Sequence, residues 1–309
     1  VTRNCPRGSS AGHSSQQLWG LSLIAGVIKK EILMSVSEDV LLPETKTIIT
    51  ERNESVLRIW LNRPESKNAL SAEMTDELAE VLGLVKKNRS IRTIVLRGKG
   101  NVFCAGGDIK GFKSDMQRAD KDLIARGNRS FGYLMSQLNE QPQVVVMLIE
   151  GAAIGGGLGL ACVGDVTIVT ADSRFRLSET SLGIPPAQIA PFVRERIGLT
   201  HARRLMLTGA RFKGDEAVNF GIAHLVVADS EELEEACNEI LSDISVCAPD
   251  ANAVTKNILF ESLRRPRSEV LDYAAAGFAK CMLSPEGNEG VAAFIQKRKP
   301  YWVEESLRK

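Results

Sequence analysis

The sequence predicts an α/β fold, and three features predict it. Short runs rich in β-branched residues, at 92–96, 144–149 and 165–170, alternate with longer amphipathic stretches. That is the strand-turn-helix-strand order of a sheet with helical connections. Two of the runs end in glycine-rich turns, R-G-K-G at 97–100 and G-A-A-I-G-G-G at 151–157. Hydrophobic residues make up 44% and charged residues 25% of 309 positions, the balance of a globular protein with a sizeable core.

Taken in order, residues 55–61, S-V-L-R-I-W-L, alternate and predict the first strand. Pro64 in the following N-R-P-E-S-K-N-A-L forbids its continuation. Ser71 is a good N-cap, and Leu78, Val81, Leu82 and Val85 fall on one face of the helix it opens. Residues 92–96 predict the next strand, and R-G-K-G-N-V-F-C-A-G-G-D-I-K a glycine-rich turn after it. A helix is expected over 117–139, with Leu123, Phe131, Leu134 and Leu138 apolar.

Val144 to Ile149 is an unbroken apolar run with the length and branching of a strand buried on both faces. Glycines 151, 155, 156, 157 and 159 follow it, so main chain must come close to something there. Taken alone, they suit close packing of a helix on its neighbours. A helix starting within 155–157 would also aim its unpaired N–H groups at whatever lies in front of it, which suits a carbonyl oxygen becoming negative. Residues 165–170, D-V-T-I-V-T, are a further strand. The remainder reads as helical, at 200–207, 215–220, 230–246, 251–263 and 269–282, with Pro285 opening the last helix.

A break is expected near 225–230, giving a sheet-based core over 34–228 and a helical region over 229–309. Residues 1–33 are unlike the rest: 1–17 are rich in Ser, Gly and Arg, and 18–28 form an apolar stretch too short and too late for a signal peptide. They read as a non-native or disordered leader, with Met34 as a second start. A native N-terminus upstream of Met34, seen by mass spectrometry, would remove that reading.

The net charge of +1 argues against a nucleic-acid binder that works by bulk charge. No apolar run reaches the roughly 18 residues of a membrane span. Six scattered cysteines with no C-x-x-C pair, and three histidines, give no expectation of a zinc site. Free thiols fit a reducing, cytoplasmic location.

The two glycine turns are expected to meet at one edge of the sheet, where α/β proteins bind ligands. One N–H near Gly107 and one near Gly156 would then make a two-donor hole for an enolate oxygen. Losing one such donor typically costs about 3–4 kcal/mol of transition-state stabilisation.

Four motifs carry a family resemblance: Leu61-Asn62-Arg63-Pro64-Glu65 with Asn68-Ala69-Leu70, Phe103-Cys104-Ala105-Gly106-Gly107-Asp108-Ile109-Lys110, Gly151 to Gly157, and Glu179-Thr180-Ser181-Leu182-Gly183-Ile184-Pro185. In order and spacing they resemble the crotonase (enoyl-CoA hydratase/isomerase) family over about residues 45 to 300. The resemblance implies a ββα spiral core with a helical C-terminal trimerisation region, and a homotrimer or dimer of trimers. It implies an acyl-CoA thioester substrate whose carbonyl is held by the N–H groups of Gly107 and Gly156. No metal or redox cofactor is implied, since coenzyme A is part of the substrate. Ala69, Ala105, Asp108, Ile109 and Lys110 would line the CoA site, and Arg63 and Lys110 would reach phosphates.

The chain departs from the family at its acids. Hydratases of the family commonly use two glutamates. One sits three residues after the second oxyanion glycine, which here is Gly159; the other matches Glu179. A carboxylate in a mostly apolar pocket has a raised pKa, suited to taking and returning a proton near neutral pH. A single glutamate is sufficient for a 1,3-proton shift, as in Δ3,Δ2-enoyl-CoA isomerases. Hydration also needs a held water, for which Gln188 is the candidate. Gln188 lies in P-P-A-Q-I-A-P-F-V, a stretch similar to hydratases of branched glutaconyl-CoA esters of the isohexenylglutaconyl-CoA type. Hydratase and isomerase both stay open, and so does a non-catalytic scaffold of the same fold. Arg174 or Arg176 is a candidate partner for a distal carboxylate, although a solvated strand edge suits both.

Other chemistries fit less well. A dinucleotide fingerprint fails at its third glycine, where Leu160 stands. Cys104 has no histidine near it in sequence and reads as a small buried residue. His201 and His224 read as packing or capping residues.

Overall fold

The apolar runs pair into two sheets in a computed structural model that describes residues 41–303, so the expectations for 1–33 and Met34 lie outside the described residues. The strands in chain order are β1 (Ile48–Asn53), β2 (Val56–Leu61), β3 (Thr93–Gly98), β4 (Val144–Ile149), β5 (Ala152–Ile154), β6 (Val166–Thr170), β7 (Arg174–Arg176), β8 (Arg211–Lys213) and β9 (Leu225–Val227). The large sheet has the order β1-β2-β3-β4-β6-β9 and the small one β5-β7-β8. β1 and β2 form an antiparallel hairpin; all later pairs of the large sheet are parallel. After β4 the chain crosses to β5, and after β6 to β7, and these two short strands pair in parallel. After β3 it crosses in the same way, and Cys104 bridges to Ala153. Each turn of this spiral lays down one long strand and then one short one, the ββα order expected.

Parallel strands covered on both sides are apolar at almost every position. Ile94, Leu96, Val145, Met147 and Ile149 face the main core, with Leu78 and Leu82 of the helix Ala72–Val85 and Leu134 and Leu138 of the helix Lys121–Asn139. Val95, Val146, Leu148 and Ile168 face the other way, onto Leu233 and Cys237 of the helix Ser230–Val246. Each such side chain contributes about 1.5–3 kcal/mol by leaving water. That last helix is therefore the cover of the large sheet's second face.

Two helices differ from expectation. The stretch expected as one helix at 117–139 is two, Ile109–Arg118 and Lys121–Asn139. Ala119 breaks it with φ +53, and Asp120 restarts it by accepting the Leu123 N–H at 2.9 Å. The helix expected at 200–207 begins at Ala190 and runs to Thr208, with a kink at Gly198 where φ is +71 and ψ 168. Of the three-residue strands only β7 was expected, as the strand edge that carries Arg174 and Arg176; β5, β8 and β9 are too short to show a period.

The helices Pro249–Arg264, Arg267–Met282 and Pro285–Ile295 bury only Ala253, Val270 and Ala293. Leu259, Leu263, Leu271, Phe278, Phe294 and Ile295 stay exposed. Lys256 fastens the first of these helices. Its Nζ donates to Asp165 Oδ2 at 2.5 Å, Gln141 O at 2.7 Å and Gln143 O at 3.0 Å. Among the described residues no helix is long and apolar enough to cross a membrane.

Candidate active site

The site is built from the corners of three successive turns of the spiral. At the first, Cys104 donates its N–H to Ala152 O at 2.9 Å and accepts from Ile154 N at 3.0 Å. On the opposite side, Ala105 N–H reaches Lys67 O at 3.0 Å, Leu70 N–H reaches Gly106 O at 2.8 Å and Asp108 N–H reaches Leu70 O at 3.1 Å. Leu70 thus bonds the residues before and after Gly107, the parallel pattern that turns Gly107's own N–H and C=O the other way. Among the described residues no backbone acceptor takes that N–H.

The second corner carries Gly155, whose N–H donates to Arg176 O at 2.8 Å. Its φ of +52 and ψ of −118 suit glycine alone. The helix Gly156–Val163 starts immediately after it, so the Gly156 N–H has no intrahelical partner. The two corners adjoin: a Cβ built on Gly106 would lie 2.9 Å from Ile154 O and 3.8 Å from Gly156 N.

The third corner carries Glu179 at the start of a 3-10 turn, Glu179–Leu182, that follows β7. Arg176 steadies the turn by donating to Gly209 O at 3.0 Å and Ser181 Oγ at 3.2 Å. Thr180 Oγ1 donates to Met206 O at 2.8 Å. The carboxylate lies against Gly155, where an added Cβ would be 2.7 Å from Oε1. Oε2 is buried and has no hydrogen-bond partner among the described residues. Burial pushes the Glu179 pKa above the ordinary carboxylate range, partly offset by the backbone amides of Glu179 and Ser178.

Gly107, Gly156 and Glu179 are therefore brought to neighbouring corners. Ala69 and Asp108 are tied together by Arg63, which donates to Ala69 O at 2.6 Å and Asp108 Oδ2 at 3.1 Å. Arg63 is thus committed to these two residues. Ala105 is half-buried and Ile109 exposed. Lys110 sits in the first turn of the helix Ile109–Arg118, and its side chain is outside those described. Gln188 donates to Asn128 Oδ1 at 3.1 Å and places its Oε1 over Gly132. Arg174 is an exposed strand residue.

The neighbourhood of Gly159 was not legible beforehand. A Cβ built there would collide with Ile189 Cγ2 and lie 2.9 Å from Ile189 Cβ and 3.4 Å from Met135 Cε. The position is closed by apolar side chains. Leu70 and Phe131 are further site residues that the sequence reading passed over; both meet Gly156. The N-A-L motif was the available signal for Leu70. Asn68 holds its corner from inside, accepting from Arg63 N at 2.8 Å and donating to Val102 O at 2.6 Å. Cys104 is buried and its thiol is pushed up to about 12 by burial, which leaves it unreactive. His224 accepts the Thr167 N–H at 3.0 Å, and the His201 ring packs 5.1 Å from that of Phe220.

Comparison with known proteins points one way. The family model for enoyl-CoA hydratase/isomerase matches residues 51–305. The chain is similar to Enoyl-CoA hydratase AKT6-1 of Alternaria alternata, with 33% identity over 79% of each chain. It is also similar to the peroxisomal Delta(3,5)-Delta(2,4)-dienoyl-CoA isomerase of Arabidopsis thaliana, with 30% identity over 83% of this chain and 96% of that one. Among solved structures, Pseudomonas aeruginosa AtuE superposes with a TM-score of 0.82 at 50% identity, over 84% of this chain and 100% of the other.

Proposed function

The chain belongs to the enoyl-CoA hydratase/isomerase family, and on that premise we propose that it hydrates an enoyl-CoA through an enolate held by Gly107 and Gly156, with Glu179 moving the proton. The observation that carries this reading is the half-buried Glu179 carboxylate. One of its oxygens is unpartnered, and it lies against the residue that precedes an unpaired helix N-terminus. A thioester carbonyl seated on the two N–H groups gathers negative charge as the oxygen of a water bonds to the β-carbon and that water's proton passes to Glu179, and it gives the charge up when Glu179 returns the proton to the α-carbon. Burial raises the Glu179 pKa, which makes the carboxylate a stronger base for taking that proton. The proposed hydration needs in addition only a water held beside Glu179, the role assigned to Gln188, and uses no metal or redox cofactor.

A second reading, Δ3,Δ2-isomerisation, is favoured by the apolar closure of Gly159, since a single carboxylate can carry a proton between two carbons. The relatives' names include an enoyl-CoA hydratase and a Delta(3,5)-Delta(2,4)-dienoyl-CoA isomerase. A panel of 2-enoyl-, 3-enoyl- and 3-methylglutaconyl-CoA esters, followed by product mass, separates them. Hydration adds one water to the mass. Isomerisation leaves the mass unchanged and moves the double bond. No turnover across the panel, with esters still bound, would replace both with a binding scaffold.

The exposed apolar side chains of the last three helices support their burial in an assembly, which the family resemblance makes a homotrimer or dimer of trimers. Sedimentation is expected to show three or six chains per particle, and a monomer at micromolar concentration would exclude both.

A further inference from the structure

We propose that Leu70 is a positioning residue that sets the spacing of the two carbonyl-binding amides. The inference rests on the two-donor reading above. Leu70 meets both corners, the first through its main chain and the second through its side chain. Its main chain brackets Gly107, bonding Gly106 O at 2.8 Å and Asp108 N at 3.1 Å. Its side chain packs on the other donor: a Cβ built on Gly156 would lie 3.0 Å from Leu70 Cδ1 and 3.4 Å from Phe131 Cζ. Leu70 is 9% exposed and belongs to the main core cluster, so the side chain is held in place.

The physical consequence is a spacer. The backbone bonds turn the Gly107 N–H away from Leu70, and the isobutyl group limits how closely the start of the helix Gly156–Val163 can approach that corner. Both donors must sit about 2.7–3.1 Å from one oxygen, so a side chain wedged between their supports decides whether they converge. Truncation to Ala keeps both backbone bonds and removes only the wedge. The Gly107 side should then stay in register while the Gly156 side loosens.

The test compares wild type with Leu70→Ala and Leu70→Met, the second keeping the volume if the first folds poorly. Two quantities are read. One is kcat and KM on the preferred ester. The other is the infrared carbonyl stretch of a bound, unreactive saturated acyl-CoA carrying 13C at the thioester carbon. Polarisation by two amides moves that stretch to lower frequency. Leu70→Ala is expected to lose a large part of the shift and to lower kcat on the order of 10–100-fold, as about 1 Å of misplacement does, with KM changed by less than about threefold. Leu70→Met is expected to recover most of both. A full carbonyl shift and unchanged kcat in folded Leu70→Ala would overturn the proposal, and so would a Leu70→Met variant with no recovery. If wild type shows no shift on binding, the two-donor reading itself fails.

Discussion

Glu179→Gln is expected to lower turnover by about 10²–10⁴-fold, the usual worth of a positioned acid-base group, while acyl-CoA binding stays close to wild type. The amide keeps the size of the side chain beside Gly155 and removes the ability to accept a proton. Steady-state kinetics and isothermal titration with a saturated acyl-CoA separate the two effects. Near-normal turnover would take Glu179 out of the mechanism.

The pH behaviour follows from the direction of the shift. Burial raises the Glu179 pKa. A step that begins with the ionised base therefore gains rate as pH rises through that raised value, and the acid limb of kcat/KM lies above the ordinary carboxylate range. The stability consequence has the opposite sense. A carboxyl whose pKa is higher folded than unfolded adds stability below its unfolded pKa, and loses it as pH rises through the folded value. Above that folded value the ionised Glu179 is a burden on the fold. Glu179→Gln is thus expected to melt at or above the wild-type temperature at pH 7, with the gap closing in acid. A variant less stable than wild type at pH 7 would contradict the assigned direction.

Gly155→Ala is expected to damage catalysis severely, because the added methyl group meets Glu179 itself. Backbone at φ +52, ψ −118 is strained for any L side chain, a cost of about 1–3 kcal/mol. The added Cβ also meets Glu179 Oε1 at 2.7 Å, so the carboxylate must move. The same substitution disturbs the peptide that enters the helix Gly156–Val163 and so tilts one carbonyl donor. A loss of kcat of at least about 10²-fold is expected, with a lowered melting temperature. The control is Gly183→Ala. Gly183 also has positive φ, at +78, but nothing lies within 4 Å of its built Cβ. Equal losses in the two variants would mean that strain alone, and not displacement of Glu179, is responsible.

How much of this could be read from the chain depended on range. Val144–Ile149 announced itself as a doubly covered strand, and Ser71 as a cap; it accepts the Met74 N–H at 3.2 Å. Those signals are local. The pairing of Cys104 with Ala153 and of Leu70 with Gly107 is not, because isolated bridges between distant segments leave no periodicity. The glycines at 107 and 156 could be picked out as candidates, but what closes Gly159 could not. Ile189 comes to it from 30 positions away, and a proline-rich stretch does not reveal which of its side chains turns inward. Gln188 illustrates the same limit, since its partner Asn128 is 60 residues distant.

The spiral has a consequence for how such a protein can change. Its candidate proton mover and carbonyl donors ride on corners locked to one another by main-chain bonds: Cys104 to Ala152, Gly155 to Arg176. The helix Lys121–Asn139 and the stretch around Gln188 meet each other through side chains alone, Gln188 on Asn128 and Gly132. Substitutions in those covering pieces can reshape the space beside the candidate groups without breaking the main-chain rungs that carry them. What the protein accepts is thereby free to drift while the spacing of those candidate groups stays fixed.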